Sequence, residues 1–402
     1  MLTQPDEERE KVAAIRAQMP ATTAVHYLNT GTNGPLPKMG ADIMREAAEK
    51  EYLQGRYLPF IEELYSEMDA TRRHLARIVG ASPEEIALTQ SATEGLNIIL
   101  WGLRWLPGDE VLTTSLEHVA SLAPLSLIKS RHGIVVKYVE VKYGDEYDEE
   151  EFVSCVERMI TPRTRLLVIS HVSTSTGITF PIRALVEICH AHKVCVLVDG
   201  AQAVGAVPVD MHEWAVDFCA MTGRKWLLGP EGVGALYVAK ERIAEVDPTF
   251  ISPTSVRNRS DLDMVSPFVV PAPSAARYQL ATSMYRPTLL GFQKSLEYLL
   301  EHVGMDWIYS RIQRLARHMQ GLLREIPGAR VVTPLGREAG LVGFHVDGWH
   351  PSDLCMRLNE RKFMLRPEPE HQLPAPARIS TGFYNTEEEL DQLAEAIRDI
   401  VT

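Results

Sequence analysis

The chain has 402 residues with 41 basic and 53 acidic side chains, a formal net charge of −12 and a pI near 5.6, which argues against a surface built to hold nucleic acid. Hydrophobic residues make up 45 %, mean hydropathy is −0.09, and no apolar run approaches the ~20 residues that cross a bilayer, so a globular protein with no membrane partner is expected. The start of the chain is polar and acidic where a secretory signal needs a basic start and an apolar stretch, and the five cysteines are an odd number without metal-site spacing; both point to a cytoplasmic protein with reduced, mostly buried thiols.

The length exceeds what one hydrophobic core supports, which predicts one large α/β domain plus a smaller one. From Glu110 to Val238 short apolar runs alternate with amphipathic stretches: EVLTTS, a helix over 120–132, GIVVKYVEV, a helix over 149–159, RLLVISH, a helix over 182–192, VCVLVDG, then VDFCAMTG and GVGALYV joined by a glycine-containing turn. Strands apolar over their whole length, joined by helices, mean a sheet buried on both faces. Past Pro287 the chain reads as long amphipathic helices (287–303, 307–326) and short strands (330–333, 340–346, 378–381), a smaller α+β domain. The expected division is 18–285 for the large domain and 286–402, joined by 1–17, for the small one. Two proline-bearing loops, 251–273 and 367–376, are candidate binding loops or domain connections.

Ligands of open parallel sheets bind where strands end, and polar residues stand at each such place: Ser91-Ala92-Thr93, His118, Ser173, Thr176, Asp199 and Thr222-Gly223-Arg224-Lys225. Asp199, ending VCVLVDG, is placed to be partly desolvated and to need a cationic or proton-donating partner; the alternative is a cap on a following helix. Lys225, flanked by Trp226 and glycines, is placed to lose its proton and act as a nucleophilic amine, although most lysines are ordinary surface residues. Thr222 and Arg224 suit a phosphate, as does a helix opening at Ser91. Two phosphate-suited sites, an aspartate and a desolvated lysine describe one ligand, pyridoxal 5'-phosphate.

The segments TQSATEGLN, SLEHVA, HVSTSTG, VDGAQAVGAVPVD and TGRKWLLGPEGVGALYV resemble, in order, the motifs of the class V aminotransferases, a family that includes cysteine desulfurases, cystine lyases and isopenicillin N epimerase-like enzymes. The resemblance implies the fold type I architecture of pyridoxal phosphate enzymes, with a mostly parallel seven-stranded sheet in the large domain. It implies that Lys225 carries the cofactor covalently, that Asp199 pairs with its ring nitrogen, that His118 stacks on the ring and that Gln202 contacts the ring hydroxyl. Ser91, Ala92, Thr93, Ser173, Thr174, Thr222 and Arg224 complete the cofactor site. A homodimer with shared active sites is implied too, Thr282 reaching the phosphate from the neighbouring subunit. Arg378, with Arg366 as second candidate, would bind the substrate carboxylate, and Asn33 in HYLNTGTNGPLP would line the substrate side. Two departures stand out: Thr174 where the family often has Asn, and Arg224 where it often has His.

Desulfurases of this family need a cysteine on a loop before the carboxylate-binding arginine, and the segment 361–378 has none; Cys355, in the helix-like SDLCMRLNERK, reads as core. The expected reaction is therefore β-elimination from cystine or a cysteine S-conjugate, with transamination or epimerisation of a small amino acid as the alternative. No metal is expected: His190 and His192, two apart, do not share a helix face. The loop from Gly229 to Gly234 precedes a strand, unlike a dinucleotide loop. The acidic run 145–152 reads as a solvated helix start, and Glu370 and His371 as exposed loop residues.

Overall fold

The computed structural model describes residues 4–56, 58–252, 255–257, 270–280, 284–370 and 374–401. The chain opens with α1 (Gln4–Ala17), a short α2 (Ala21–Ala24), the two-residue strand β1 (His26–Tyr27) and two long helices, α3 (Lys38–Gln54) and α4 (Leu58–Val79). The alternation follows: β2 (Ile86–Thr89), α5 (Ala92–Gly102), β3 (Glu110–Thr114), α6 (Val119–His132), β4 (Val135–Val139), α7 (Glu149–Met159), β5 (Thr164–Ser170), α8 (Ile182–Ala191), β6 (Cys195–Asp199), β7 (Phe218–Thr222) and β8 (Gly234–Val238). The C-terminal part comprises α9 (Arg286–Glu297), α10 (Met305–Arg324), β9 (Ala329–Val331), β10 (Leu341–Val346), α11 (Pro351–Glu360), β11 (Phe363–Met364), β12 (Arg366–Pro367), β13 (Ala377–Ser380) and α12 (Glu387–Val401). No helix among the described residues is long and apolar enough to cross a membrane.

The large sheet has seven strands in the order β2-β8-β7-β6-β5-β3-β4. Neighbours from β7 to β4 pair parallel, and β8 runs antiparallel to both β7 and β2, so the mostly parallel seven-stranded sheet is as expected. Its burial on both faces follows from the two-residue period of a strand: Leu167, Ile169, Val196 and Val198 enter one apolar cluster, while Leu166, Val168 and Leu197 enter the other. The exception is β4, with Val135 and Tyr138 exposed. It is one of the two edge strands, paired with β3 alone, and unlike β2 at the other edge it is partly open to solvent; the charged pair Lys137–Glu110 at 2.7 Å protects it.

Helix starts are written into the sequence. Asp148 caps α7 through the Glu151 N–H, which makes the acidic run a helix start as expected. Ser91 caps α5 by accepting the Glu94 N–H at 3.2 Å, and Glu94 returns the bond to the Gln90 N–H at 2.7 Å.

The second sheet, β12-β13-β10-β9, is antiparallel and lies in a third cluster with Leu315, Phe344, Leu358 and Leu390. From the N-terminal helix α1, Glu8 pairs with Arg311 at 2.9 Å and Arg314 at 2.6 Å on α10, and β1 pairs with β11. Helix α9 packs along α3 and α4 and runs on through a π turn, Tyr298–Val303. The two-residue strands lacked any sequence signal because nothing shorter than about four residues shows a period.

Candidate active site

Strands β5 and β6 end side by side, Ser170 opposite Asp199 in the register. The cavity at this edge, about 270 Å³, is lined among others by Ser91, Ala92, Thr93, His118, Thr174, Asp199, Gln202, Thr222, Arg224, Lys225, Arg366 and Arg378. Twelve residues singled out from sequence therefore share one wall, drawn from four strand ends, the start of α5 and the C-terminal sheet. Asp199 accepts the Ala201 N–H at 3.0 Å. His118 caps α6, its Nδ1 accepting the Ala120 N–H at 3.0 Å. That bond leaves the proton on Nε2, and burial lowers the ring's pKa despite the Asp199 charge, so the imidazole is neutral at pH 7.

Lys225 lies in a tightly wound turn, the Leu228 N–H donating to its carbonyl at 3.1 Å and the Gly229 N–H to Gly223 at 2.8 Å. Burial pushes its amine down to about 8, opposed by the Asp199 carboxylate and assisted by Arg378 and Arg224. An amine so placed loses its proton far more readily than a surface lysine. The neighbouring Trp226 is buried, and its Nε1–H donates to Gln202 Oε1 at 3.0 Å. Gln202 Nε2 in turn donates to the Gly31 carbonyl at 2.9 Å and to Thr174 Oγ1 at 3.3 Å. The amide expected to touch a ring hydroxyl is thus committed to three protein partners and braces the wall.

The start of α5, the Thr222 hydroxyl and the Arg224 guanidinium meet at the cavity and form an anion cradle. The first N–H groups of a helix have no partner within it, and Arg224 Nε is a buried donor without a hydrogen-bond partner among the described residues, which a phosphate oxygen satisfies. With Lys225 and Asp199 on the same wall, the donor set fits pyridoxal phosphate.

At the substrate end Arg378 is fully buried. Its Nη1 donates to Thr174 Oγ1 at 2.9 Å and lies 2.6 Å from Glu368 Oε1, and its Nη2 donates to Thr32 Oγ1 at 2.9 Å. Arg366 stands near, its Nε 3.8 Å from the same Glu368 oxygen. Thr174, the departure from the family pattern, has become the acceptor shared by Gln202 and Arg378.

Two sequence expectations, for Asn33 and Ser173, are corrected. Asn33 is absent from the cavity wall, its carbonyl accepting the Tyr27 hydroxyl at 2.9 Å; Gly31 and Thr32 of that loop line it instead. Ser173 also lies behind the wall, buried, its Oγ accepting the Thr176 N–H at 3.3 Å, so it shapes the turn that presents Thr174. Thr282 and His371 lie outside the described residues. Glu370 is exposed and pairs with His350 at 3.4 Å. His190 pairs with Asp217 at 2.9 Å, and no cluster of three metal-ligating side chains occurs among the described residues.

Three functional-site residues escaped sequence reasoning: Thr32, Glu117 and Glu368. Glu117 is wholly buried under the strand ends and accepts from Ser170 and Thr114. Burial pushes its carboxyl up to about 7 against those hydrogen bonds. Glu368 had a signal, since Arg366 and Glu368 are two apart in an extended stretch and so share a side.

Comparisons with known proteins agree with this geometry. The aminotransferase class-V family model matches residues 47–393. An isopenicillin N epimerase of Streptomyces clavuligerus is 30 % identical over 397 residues, covering 95 % of this chain and 96 % of that protein. A probable cysteine desulfurase of Halobacterium salinarum is 32 % identical over 344 residues, 82 % of this chain and 79 % of its own. Among solved structures, the cystine C–S lyase C-DES in complex with its reaction product cysteine persulfide superposes with a TM-score of 0.87 at 27 % identity, covering 95 % of this chain and 99 % of that one. A C-DES mutant with glycine covalently linked to its PLP cofactor gives 0.86 at 26 %, covering 96 % and 99 %.

Proposed function

The chain belongs to the class V aminotransferase family and is a pyridoxal phosphate enzyme of the cysteine desulfurase and C–S lyase type, and within that type we propose that it eliminates the β-sulfur of cystine or of a cysteine S-conjugate, leaving pyruvate, ammonia and a persulfide or thiol. The observation that carries this reading is the absence of any cysteine from the cavity wall among the described residues. Cys355 is packed in the core, and burial pushes its thiol up to about 12, so it offers no thiolate to take sulfur from a substrate. Elimination needs no such nucleophile. The likeness to the cystine lyase supports the same choice.

When bound, pyridoxal phosphate supplies an electron sink that acidifies the Cα–H of an amino acid. The chain supplies the rest. Lys225 Nζ, its pKa lowered, takes the Cα proton as general base. Asp199 would pair with the ring nitrogen of the bound group, and the neutral His118 ring would lie against it. Ser91, Ala92 and Thr93 with Thr222 and Arg224 would hold the phosphate, and Arg378, oriented by Thr32 and Thr174, would hold the substrate carboxylate as a fixed fork.

A homodimer with shared active sites belongs to this proposal. Phe250, Ile251, Val270 and Tyr285 each leave an apolar side chain exposed, which supports surface covered by a second copy. Unpaired thiols at all five cysteines support a cytoplasmic location. A second reading, epimerisation or transamination of a small amino acid, is favoured by the likeness to isopenicillin N epimerase over 95 % of the chain.

The deciding experiment incubates the holoenzyme with L-cystine, and separately with a cysteine S-conjugate, and assays pyruvate, alanine and released sulfur. Pyruvate with thiol or persulfide is expected. Alanine would mean desulfuration, and an untouched substrate would turn the assignment to epimerisation or transamination.

A further inference from the structure

Of the charged side chains on the cavity wall, Glu368 and its neighbour Arg366 are the two that the proposed reaction leaves without a task. Glu368 lies in the segment after β12, its N–H bonded to the Pro376 carbonyl at 2.8 Å, and its side chain is 2 % exposed. The same oxygen lies 2.6 Å from Arg378 and 3.8 Å from Arg366. Among the described residues, Glu368 is the only carboxylate of this wall besides Asp199, against the cationic Arg224, Lys225, Arg366 and Arg378.

Electrostatics makes this placement consequential. A ligand carboxylate that binds Arg378 shares a guanidinium already paired with Glu368, and two carboxylates on one buried guanidinium repel each other across a medium that screens poorly. A ligand relieves that repulsion if it brings a cation of its own to Glu368. The α-amino group of the substrate is engaged at the cofactor, so the cation must sit at the far end of the side chain. A distal carboxylate finds Arg366 only alongside such a cation; alone it adds another anion beside Glu368.

We propose that Glu368 is a specificity-determining residue that makes the site prefer amino acids whose side chain ends in an ammonium group. This rests on the reading of the site as one for cystine or an S-conjugate and narrows it: cystine, whose second half carries both an ammonium and a carboxylate, fits the Glu368–Arg366 pair, whereas S-conjugates ending in an uncharged or purely anionic group do not. Glu368 acts on binding and takes no part in proton transfer.

The test measures binding to the holoenzyme by titration calorimetry and by the change in cofactor absorbance, using probes that lack a leaving group. L-lysine ends in an ammonium, L-norleucine in a methyl group and L-2-aminoadipate in a carboxylate. The wild-type protein should bind L-lysine about tenfold more tightly than L-norleucine, with L-2-aminoadipate weakest. In Glu368→Gln the preference should fall to within about threefold, through loss of L-lysine affinity while L-norleucine affinity holds or improves. Glu368→Asp should keep part of the preference.

A wild-type protein indifferent to the distal group would overturn the proposal, as would a Glu368→Gln variant weakened equally toward all three probes, which is the signature of a brace for Arg378. The preference and the reaction fail separately. If the preference is present and cystine yields no pyruvate, Glu368 stands and the elimination reading falls; if pyruvate forms with no preference, the reverse holds.

Discussion

Ser170 gives both of its donors to one oxygen of Glu117, the backbone N–H at 2.9 Å and the hydroxyl at 2.7 Å. A buried carboxylate thereby fixes the end of β5, the strand that stands in register with Asp199. The arrangement ties the residue before His118 to the floor of the cavity.

The buried Glu117 carboxyl sets a pH dependence of stability. Its pKa rises from 4.5 unfolded to about 7 folded, so between those values the folded chain holds a proton that the unfolded chain has lost. The stabilisation is complete below pH 4.5 and is lost as pH rises through 7. The shift corresponds to about 3 kcal/mol. Urea unfolding of the wild type and of Glu117→Gln at pH 4.5 and pH 8 should show the wild type losing roughly that amount relative to the variant; a difference constant with pH would contradict this.

Lys225→Ala should abolish the visible absorbance of the lysine-bound cofactor and lower turnover by about 10³-fold or more. The fold should survive. A buried lysine with its pKa moved from 10.5 to about 8 burdens the folded apoprotein below pH 8, and the burden fades as pH climbs from 8 to 10.5. Thermal unfolding at pH 7 should therefore find the Lys225→Ala apoprotein no less stable than the wild type. An active, yellow variant would remove Lys225 from its assigned role.

Arg378→Ala should raise KM for amino-acid substrates by about 10- to 100-fold while leaving cofactor affinity little changed. It should also cost about 3 to 5 kcal/mol of stability, because Glu368 would lose its partner inside the protein. The pairing of Arg378→Ala with Glu368→Gln should recover much of that loss. Chemical denaturation of the two single variants and the double variant measures the coupling, and simple additivity would show that the 2.6 Å contact carries little energy.

Cys355→Ala should turn over cystine at a rate within about twofold of the wild type, since the thiol lies buried between Leu354 and Leu358 on α11. Its measurable effect is a lower melting temperature from the small cavity left behind. A collapse of activity with the fold intact would restore a desulfurase mechanism.

Much of this architecture was visible in the amino-acid order because the central strands are apolar from end to end. The polar residue that follows each run then marks the place where the sheet opens to a ligand; Asp199, Thr222 and Thr93 were found this way. Contacts across long stretches of chain were invisible. Thr32 touches Arg378 through 346 positions of separation, and nothing local distinguishes it from Asn33, which does not line the cavity. Glu117 carries no local signal of burial, since the hydroxyls that draw it inward come from Thr114 and Ser170. Fold-level reading predicted the sheet's faces and missed its edge, where β4 is half open to solvent.

The glycine at position 34 joins the two ends of this account. Its N–H donates to the Arg224 carbonyl at 2.7 Å, and a Cβ there would lie 2.2 Å from the Lys225 carbonyl. The amino-terminal loop is therefore pressed against the lysine turn, while the arginine opposite comes from β13, close to the last helix. A ribosome making this chain releases that loop well before Arg378. No nascent fragment that lacks β13 holds a finished pocket, so capture of the vitamin-derived group should wait until that strand has emerged.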